Sequence, residues 1–227
     1  IIEDACHAFG ASYNYLNSSI KIGSCKHSDI CTFSLHPLKS ITSGEGGIIT
    51  TNNLAISKKI KLFRSHGITK NKKKYWEYDV SNVGYNYRLS DLNCALGLSQ
   101  LNKLNFFLKK RKKIYQKYLS ELQNFNKNLI LPKYSKKTKP SYHLFIININ
   151  FDKLNKKKDD FIKYLNKNKI FAQFHYIPIY KFRVFKERKI KLIGSEKYYK
   201  KSISIPIFVS LKEKEQKKII KTIKNYF

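Results

Sequence analysis

Methionine is absent from this sequence of 227 residues, and tryptophan, cysteine and proline occur only one, four and five times. The chain opens on the apolar pair Ile1 and Ile2 without an initiating methionine, so we expect a fragment that lacks the N-terminal part of its protein. No run approaches the roughly 18 consecutive apolar residues of a membrane helix, and no signal-peptide pattern heads the chain. A cytoplasmic protein with no membrane partner is therefore expected.

The scarcity of cysteine argues against a disulfide-stapled domain, because the four residues show neither paired spacing nor the necessary density. We expect reduced and mostly buried thiols. A zinc site could be assembled from Cys25, His27, Cys31 and His36, but these spacings match no usual structural-zinc pattern. No metal is therefore expected.

Acidic residues are also scarce, since 15 Asp and Glu stand against 46 Lys and Arg, for a formal net charge of +31. A basic surface of this kind can bind nucleic-acid phosphates. The positive excess, however, falls wholly within residues 58–227, because residues 1–57 hold three lysines and four carboxylates. It consists mostly of scattered lysine, which solvated faces explain at least as well. We expect no nucleic-acid partner, and a basic binding module remains an alternative.

The apolar content of 42%, with 14% aromatic residues, is sufficient for a real core. Periodicity and β-branched runs predict strands at 1–2, 30–35, 47–51 and 142–151, helices at 89–122, 159–168 and 211–226, an extended segment at 170–177, and a polar connector at 132–140. This order indicates an α/β fold. Together these elements indicate a smaller α/β domain after roughly residue 110.

Lys39 stands apart from the other lysines because it follows an apolar strand in a lysine-poor segment. The stretch Gly44-Glu45-Gly46-Gly47 comes shortly after it. A catalytic lysine needs a partly desolvated pocket that keeps its amine neutral, and glycines let backbone approach a bulky ligand. On this local pattern alone, an ordinary lysine on a Gly-rich hairpin is the stronger interpretation.

Asp4 follows the first strand and is close in sequence to His7 and Gly10. A carboxylate at the end of a buried strand is costly unless it pairs with a cation, and a protonated pyridine nitrogen is a suitable partner. The alternative is an Asp that caps a helix beginning at Ala5.

Four segments carry a more specific signal: IEDACHA at 2–8, FSLHPLKSIT at 33–42, GEGG at 44–47 and GYNYRLSD at 84–91. In this order they resemble the successive signatures of the DegT/StrS family of sugar-nucleotide aminotransferases. The remaining chain, including SYHL at 141–144 and HYIP at 175–178, resembles the C-terminal domain of that family more loosely.

The resemblance implies part of a fold-type I transferase that uses pyridoxal 5′-phosphate. Residues 1–110 would be the C-terminal part of its large cofactor-binding domain, with an incomplete sheet, and residues 111–227 would be its small C-terminal α/β domain. Lys39 would bind the cofactor covalently and later move a proton between cofactor and substrate, and Asp4 would keep the pyridine nitrogen protonated. The other implied cofactor contacts are His7 near the phenolic oxygen, Ser34 at the phosphate, and Asn86 and Arg88 at the phosphate of the neighbouring subunit's cofactor. A homodimer with shared active sites follows from this set.

The implied reaction moves an amino group from L-glutamate to a nucleotide-linked keto-sugar, and the retained Lys39 favours transamination over the dehydration of relatives with His there. The motifs look most similar to members that aminate a UDP-linked 4-keto-6-deoxy-N-acetylhexosamine on the route to pseudaminic acid. Amination of another keto-sugar nucleotide, such as the perosamine type, and a non-catalytic sugar-nucleotide-binding relative are the alternatives.

His175 and Tyr176 would contact the sugar or the nucleotide, or else form a packed pair at a strand end. The family's N-terminal segment, which supplies the turn over the phosphate and the aromatic that stacks on the ring, has no counterpart in the sequence. The fragment alone is therefore expected to be inactive.

Overall fold

The computed structural model describes residues 1–71, 73–74, 76–185 and 190–227, and it divides into two compact units. The first unit comprises Ile1–Leu108 and Lys136–Ser141, and the second comprises Lys109–Ser135 and Tyr142–Phe227. The short segment Lys136–Ser141 thus returns to the first unit after the chain has begun the second.

The elements up to the unit boundary are β1 (Ile2–Asp4), β2 (Ser12–Tyr15), β3 (Ser18–Lys21), β4 (Ile30–Ser34), β5 (Gly47–Thr50), α1 (Leu54–Arg64), β6 (Ile68–Lys70), β7 (Tyr78–Val80) and α2 (Asp91–Asn102). The elements that follow are α3 (Leu104–Leu122), which crosses the boundary, β8 (Leu129–Ile130), β9 (Thr138–Lys139), β10 (Phe145–Ile149), α4 (Lys158–Lys167), α5 (Ile193–Lys201), β11 (Ser202–Ile205) and α6 (Glu213–Tyr226). The α/β character predicted from the sequence is confirmed.

Strand β4 is the centre of the sheet that matters most for function. It runs parallel to β1, with Asp4 opposite Thr32, and antiparallel to β5, with Ser34 opposite Gly47. Parallel strands end at the same sheet edge, so Asp4 and Ser34 leave the sheet together. Buried side chains of the first unit pack beneath this sheet: Ala5, Cys25, Cys31 and Phe33.

A second small sheet joins the hairpin β2–β3 to β9, which pairs with β2. Leu16 and Asn17 connect the hairpin with φ of 43° and 62°, as a two-residue turn between right-twisted strands requires. The prediction of a plain connector at 132–140 is therefore wrong at Thr138–Lys139. A two-residue polar edge strand carries no apolar alternation from which it could have been predicted.

The single helix predicted at 89–122 is in fact two helices. Helix α2 ends at Asn102, where the Lys103 N–H turns back to the carbonyls of Gln100 and Leu101, and α3 begins at Leu104. Apolar residues recur at three and four positions on both sides of this break, so periodicity alone could not reveal it.

The second unit is built on the antiparallel sheet β11–β10–β8. Inward side chains of β10 alternate along the strand and are fully buried, namely Phe145, Ile147 and Ile149. Helices α3, α4 and α6 bring apolar side chains into the same core, among them Tyr118, Phe161, Leu165 and Ile223. The predicted extended segment at 170–177 forms no strand, since within it only Gln173 bridges to Ser204 among the described residues.

Among the described residues, Arg111 is the charged side chain that is buried in this core, with 5% of its surface exposed. Its Nη1 donates to the carbonyl oxygens of Tyr142, His143 and Ile207 at 3.4, 3.2 and 3.1 Å. A buried cation costs free energy unless acceptors surround it, and here backbone carbonyls serve as those acceptors. Arg111 thereby ties α3 to two separate loops of the second unit.

Candidate active site

Asp4 lies at the sheet edge where β1 ends. Its Oδ1 accepts the N–H of Cys6 at 3.0 Å, and the chain from Ala5 to Gly10 forms turns instead of a helix, so the helix-cap interpretation is wrong. Hydrogen bonds from Cys6 hold the pKa of the Asp4 carboxyl below its ordinary value, with smaller contributions from the charges of His7 and Lys39. Asp4 is therefore a carboxylate at neutral pH.

The strand that carries Asp4 is less buried than the sequence suggested. Asp4 is exposed, and Ile2 on the same strand has 71% of its surface exposed. The expectation of a carboxylate at the end of a buried strand is wrong for the described chain. The pKa of Asp4 is shifted mainly by the hydrogen bonds from Cys6, and desolvation has the smaller, opposite effect.

The turn that follows Asp4 positions His7. Its carbonyl accepts the hydroxyl of Ser141 at 2.6 Å, and Ser141 is buried in the segment that returns to the first unit. Within the turn, the Ala8 N–H donates to Ala5 O at 2.8 Å. The backbone at His7 is thus fixed from both a local and a distant part of the chain.

Lys39 approaches the same edge from β4. Beyond Ser34, the last residue of that strand, the Lys39 N–H donates to His36 O at 2.9 Å and closes a turn. The side chain of Lys39 is half-buried, and its positive charge acts on both Asp4 and Cys6. Asp4 and Ser34 thus end adjacent strands of one sheet, and the charges of His7 and Lys39 act on the Asp4 carboxyl there.

The Gly-rich stretch after Lys39 packs against helix α2. A Cβ on Gly46 would lie 2.7 Å from Leu89 Cδ2, and one on Gly44 would lie 3.3 Å from Asn93 Nδ2. Because Gly44 and Gly46 have no side chains, Asn93 in α2 and Leu89 just before it can pack against this loop. The sequence had instead suggested that these glycines leave space for a ligand. The amide of Asn93 also donates to Ser43 O at 2.6 Å, which fastens this loop to the helix.

Asn86 and Arg88 lie elsewhere in the first unit, on a segment that pairs with the end of α1. Neighbouring backbone bonds run from Tyr85 N to Phe63 O and from Tyr87 N to Arg64 O, at 2.7 and 3.0 Å. Both predicted side chains are exposed. Across the described part of the chain, no hydrogen bond or ion pair joins them to Asp4, Ser34 or Lys39.

His175 and Tyr176 belong to the second unit. The Nδ1 of His175 lies 2.7 Å from Ser204 Oγ on β11, and the His175 and Tyr176 rings meet edge to face with centroids 4.6 Å apart. Tyr176 is 61% exposed. His175 is therefore held by a hydrogen bond to strand β11, and Tyr176 faces solvent.

The residues considered for zinc have other partners. Cys25 Sγ donates to Thr50 O at 3.3 Å, and His27 Nδ1 lies 2.7 Å from the Tyr13 hydroxyl. No group of three or more His, Cys, Asp or Glu side chains suited to a metal ion occurs among the described residues. All four cysteines are free, two of them buried.

In the described ranges, no helix is long and apolar enough to cross a membrane.

An α/β unit with Asp4, Ser34 and Lys39 at one sheet edge has the fold of part of a fold-type I pyridoxal-phosphate-dependent transferase. The chain belongs to the DegT/DnrJ/EryC1/StrS aminotransferase family, which it matches over residues 1–224. The family expected from the four sequence segments is thereby confirmed.

Known relatives extend this finding. The chain is 39% identical over 225 residues to a UDP-4-amino-4,6-dideoxy-N-acetyl-beta-L-altrosamine transaminase of Campylobacter jejuni, covering 98% of this chain and 57% of that protein. It resembles the structure of Helicobacter pylori PseC, an aminotransferase in pseudoaminic acid biosynthesis, with a TM-score of 0.89, 31% identity, and coverage of 100% of this chain and 59% of the other.

The sugar aminotransferase Spr1654 of Streptococcus pneumoniae, described in a PLP form, is similar with a TM-score of 0.85 and 25% identity, over 99% of this chain and 57% of that one. The chain thus spans somewhat more than half the length of each of these proteins.

Proposed function

We propose that this chain is the lysine-bearing part of a cytoplasmic, pyridoxal-phosphate-dependent aminotransferase. It moves an amino group from L-glutamate to a 4-keto-6-deoxy sugar nucleotide, with a UDP-linked N-acetylhexosamine as substrate. The observation that carries the proposal is that Asp4 and Ser34 leave one sheet at the same edge, where the charges of His7 and Lys39 act on the Asp4 carboxyl. Residues 1–110 belong to its large cofactor-binding domain and residues 111–227 to its small domain.

The groups at this edge fit pyridoxal phosphate. A carboxylate held ionised by Cys6 is a suitable acceptor for a pyridinium N–H, and a half-buried lysine supplies an amine for the cofactor's aldehyde. Ser34 offers a hydroxyl for the phosphate where the adjacent strand ends. The donor set therefore contains a partner for each polar end of this cofactor.

Each residue has a separate task. Bound pyridoxal phosphate would supply an electron sink for the reacting carbon. Asp4 remains ionised and maintains the positive charge of the pyridine nitrogen. Lys39 would hold the cofactor through its Nζ and, once released, its amine would take a proton from one carbon and return it to another, between cofactor and substrate. His7, whose backbone accepts a hydrogen bond from Ser141, would lie near the phenolic oxygen.

Asn86 and Arg88 serve the phosphate of a second subunit's cofactor, so the protein works as a homodimer. Support comes from their placement: the backbone of the segment is fixed to α1, while both side chains project into solvent and make no described contact with the Asp4–Lys39 group. A rigid support under an exposed polar side chain suits a contact made to another molecule.

The substrate choice is supported by the likeness to the Campylobacter jejuni transaminase. His175 and Tyr176 contact the sugar or nucleotide, with His175 oriented by Ser204. The chain covers 57% of that relative, so the rest of that relative's length has no counterpart in these residues.

A turnover assay on the complete protein that carries this chain tests the proposal. With pyridoxal phosphate and L-glutamate, we expect amination of a UDP-linked 4-keto-6-deoxy-N-acetylhexosamine in preference to dTDP- and GDP-linked 4-keto-sugars. Lys39→Ala should abolish the reaction, and Lys59→Ala on the exposed face of α1 should not. Preference for a GDP-linked sugar would replace the substrate by the perosamine type, and cofactor binding without any turnover would favour a non-catalytic relative.

A further inference from the structure

His36 connects three parts of the Lys39 turn. Its backbone N–H reaches Ser34 Oγ at 3.4 Å, its carbonyl accepts the Lys39 N–H at 2.9 Å, and its imidazole Nδ1 accepts the Leu38 N–H at 3.2 Å. Pro37 occupies the second position of this four-residue turn, where its fixed φ is favourable. The turn is therefore closed twice, once by backbone and once by the imidazole of its first residue.

Packing contributes little to the outer part of this turn. Leu38 is 73% exposed and Pro37 is exposed, whereas Leu35 before the turn and Ser40 after it are buried. The chain is thus anchored on both sides, and hydrogen bonds to His36 define the path between the anchors. A missing bond here would leave the backbone of Lys39 free to sample other orientations.

The imidazole has a defined tautomer. Since Nδ1 accepts the Leu38 N–H, it carries no proton, and the ring proton of neutral His36 is on Nε2. Nε2 faces Glu45 Oε1 at 3.8 Å, and both side chains reach solvent, so this contact orients the ring and adds little energy. A replacement side chain can therefore preserve the bond to the Leu38 N–H only if it places an acceptor at the Nδ1 position.

We propose that His36 is a positioning residue for Lys39, whose imidazole rigidifies the turn so that the lysine amine meets the cofactor in one orientation. The inference rests on the proposed function, because this orientation matters only if Lys39 binds the cofactor. His36 touches neither cofactor nor substrate in this role and acts through the backbone of Leu38 and Lys39.

Three variants of His36 test whether the turn needs a hydrogen-bond acceptor at the Nδ1 position or the imidazole ring itself. His36→Asn places its side-chain oxygen as many bonds from the backbone as Nδ1, His36→Gln places its oxygen at the reach of Nε2, and His36→Leu has no acceptor. His27→Leu is the matched control, because His27 is an exposed histidine of the same unit that bonds to Tyr13 away from the turn.

The complete protein is first studied without cofactor, by amide hydrogen exchange at Leu38. Loss of one hydrogen bond should accelerate exchange about tenfold in the Leu and Gln variants, while the Asn variant and the His27 control stay close to wild type. The rate at which added pyridoxal phosphate becomes borohydride-fixed to Lys39 should fall in the same two variants and be restored by Asn.

Equal exchange and equal capture rates in all variants would overturn the role of His36, as would an Asn variant that behaves like Leu. Wild-type protein that never fixes the cofactor to Lys39 would instead overturn the proposed function, and the inference with it. The exchange measurement needs no cofactor, so the two failures are distinguishable.

Discussion

The side-chain amide of Asn93, near the start of helix α2, donates to the backbone carbonyl of Ser43 across 2.6 Å and 50 positions of sequence. Ser90 orients this amide, because its hydroxyl donates to Asn93 Oδ1 at 2.7 Å. The loop that follows Lys39 is thereby fastened to the same stretch of chain that presents Asn86 and Arg88.

We expect Asn93→Ala to loosen this loop and to lower the free energy of unfolding by about 1–2 kcal/mol, the usual cost of leaving a part-buried carbonyl without its donor. Ser99→Ala, at an exposed position of the same helix, should change it by less than about 0.5 kcal/mol. Urea denaturation of the complete protein measures both values. Equal unfolding midpoints for the two variants would contradict the importance of the Asn93–Ser43 bond.

Mixed dimers test the assignment of Asn86 to a neighbouring site. Lys39→Ala and Asn86→Ala should each be nearly inactive alone. If one subunit supplies Lys39 and the other supplies Asn86, half of the randomly mixed dimers contain one intact site, and activity returns to about a quarter of wild type. Turnover after co-refolding measures this recovery. Mixtures no more active than the separate variants would place both residues in the same subunit's site.

Arg111→Met should destabilise the second unit, because three backbone carbonyls lose their donor at once. Removal of a buried charge offsets part of the loss, so we expect a net cost of about 2 kcal/mol in thermal or denaturant unfolding. Lys112→Met, on the exposed face of the same helix, is the control. A variant as stable as this control would show that the three carbonyls do not depend on Arg111.

Cys31 provides a test that depends on pH. Burial raises the pKa of its thiol to about 11, with Glu3 adding to the shift, so at pH 8 only about one thiol in a thousand is ionised. The thiol has a higher pKa in the folded than in the unfolded protein, so its titration contributes to the free energy of unfolding. This stabilising contribution is fully present below pH 9 and is lost as pH rises towards 11. Alkylation mapped by mass spectrometry should leave Cys31 unmodified at pH 8 in folded protein and modify it fully in urea. Rapid modification of folded protein at pH 8 would contradict its burial.

The parts of the fold that could be predicted from sequence are those with a strong local pattern. The β-branched runs that became β4, β5 and β10 and the amphipathic stretch that became α6 were confirmed close to their predicted bounds. The hairpin β2–β3 was not predicted, because each strand has only four residues and carries mostly polar side chains and tyrosine.

In the candidate active site as well, local sequence patterns could be read in advance and long-range contacts could not. Lys39 and Asp4 were suggested by family resemblance, while the residues that hold them were not singled out for that role. Ser141 contacts His7 across 134 positions and Asn93 contacts Ser43 across 50, so no local pattern links them. The turn at His36 did carry a local signal, since Pro37 stands at the second turn position, where Pro is favoured.

Covalent capture of the cofactor at Lys39 tests the central claim most directly. The complete protein, incubated with pyridoxal phosphate, reduced with borohydride and digested, should yield one modified peptide that contains Lys39, together with an absorption band near the visible edge before reduction. Lys39→Ala should lose both signals, and Lys59→Ala should keep them. An unchanged band in Lys39→Ala, or the label on another lysine, would contradict the account.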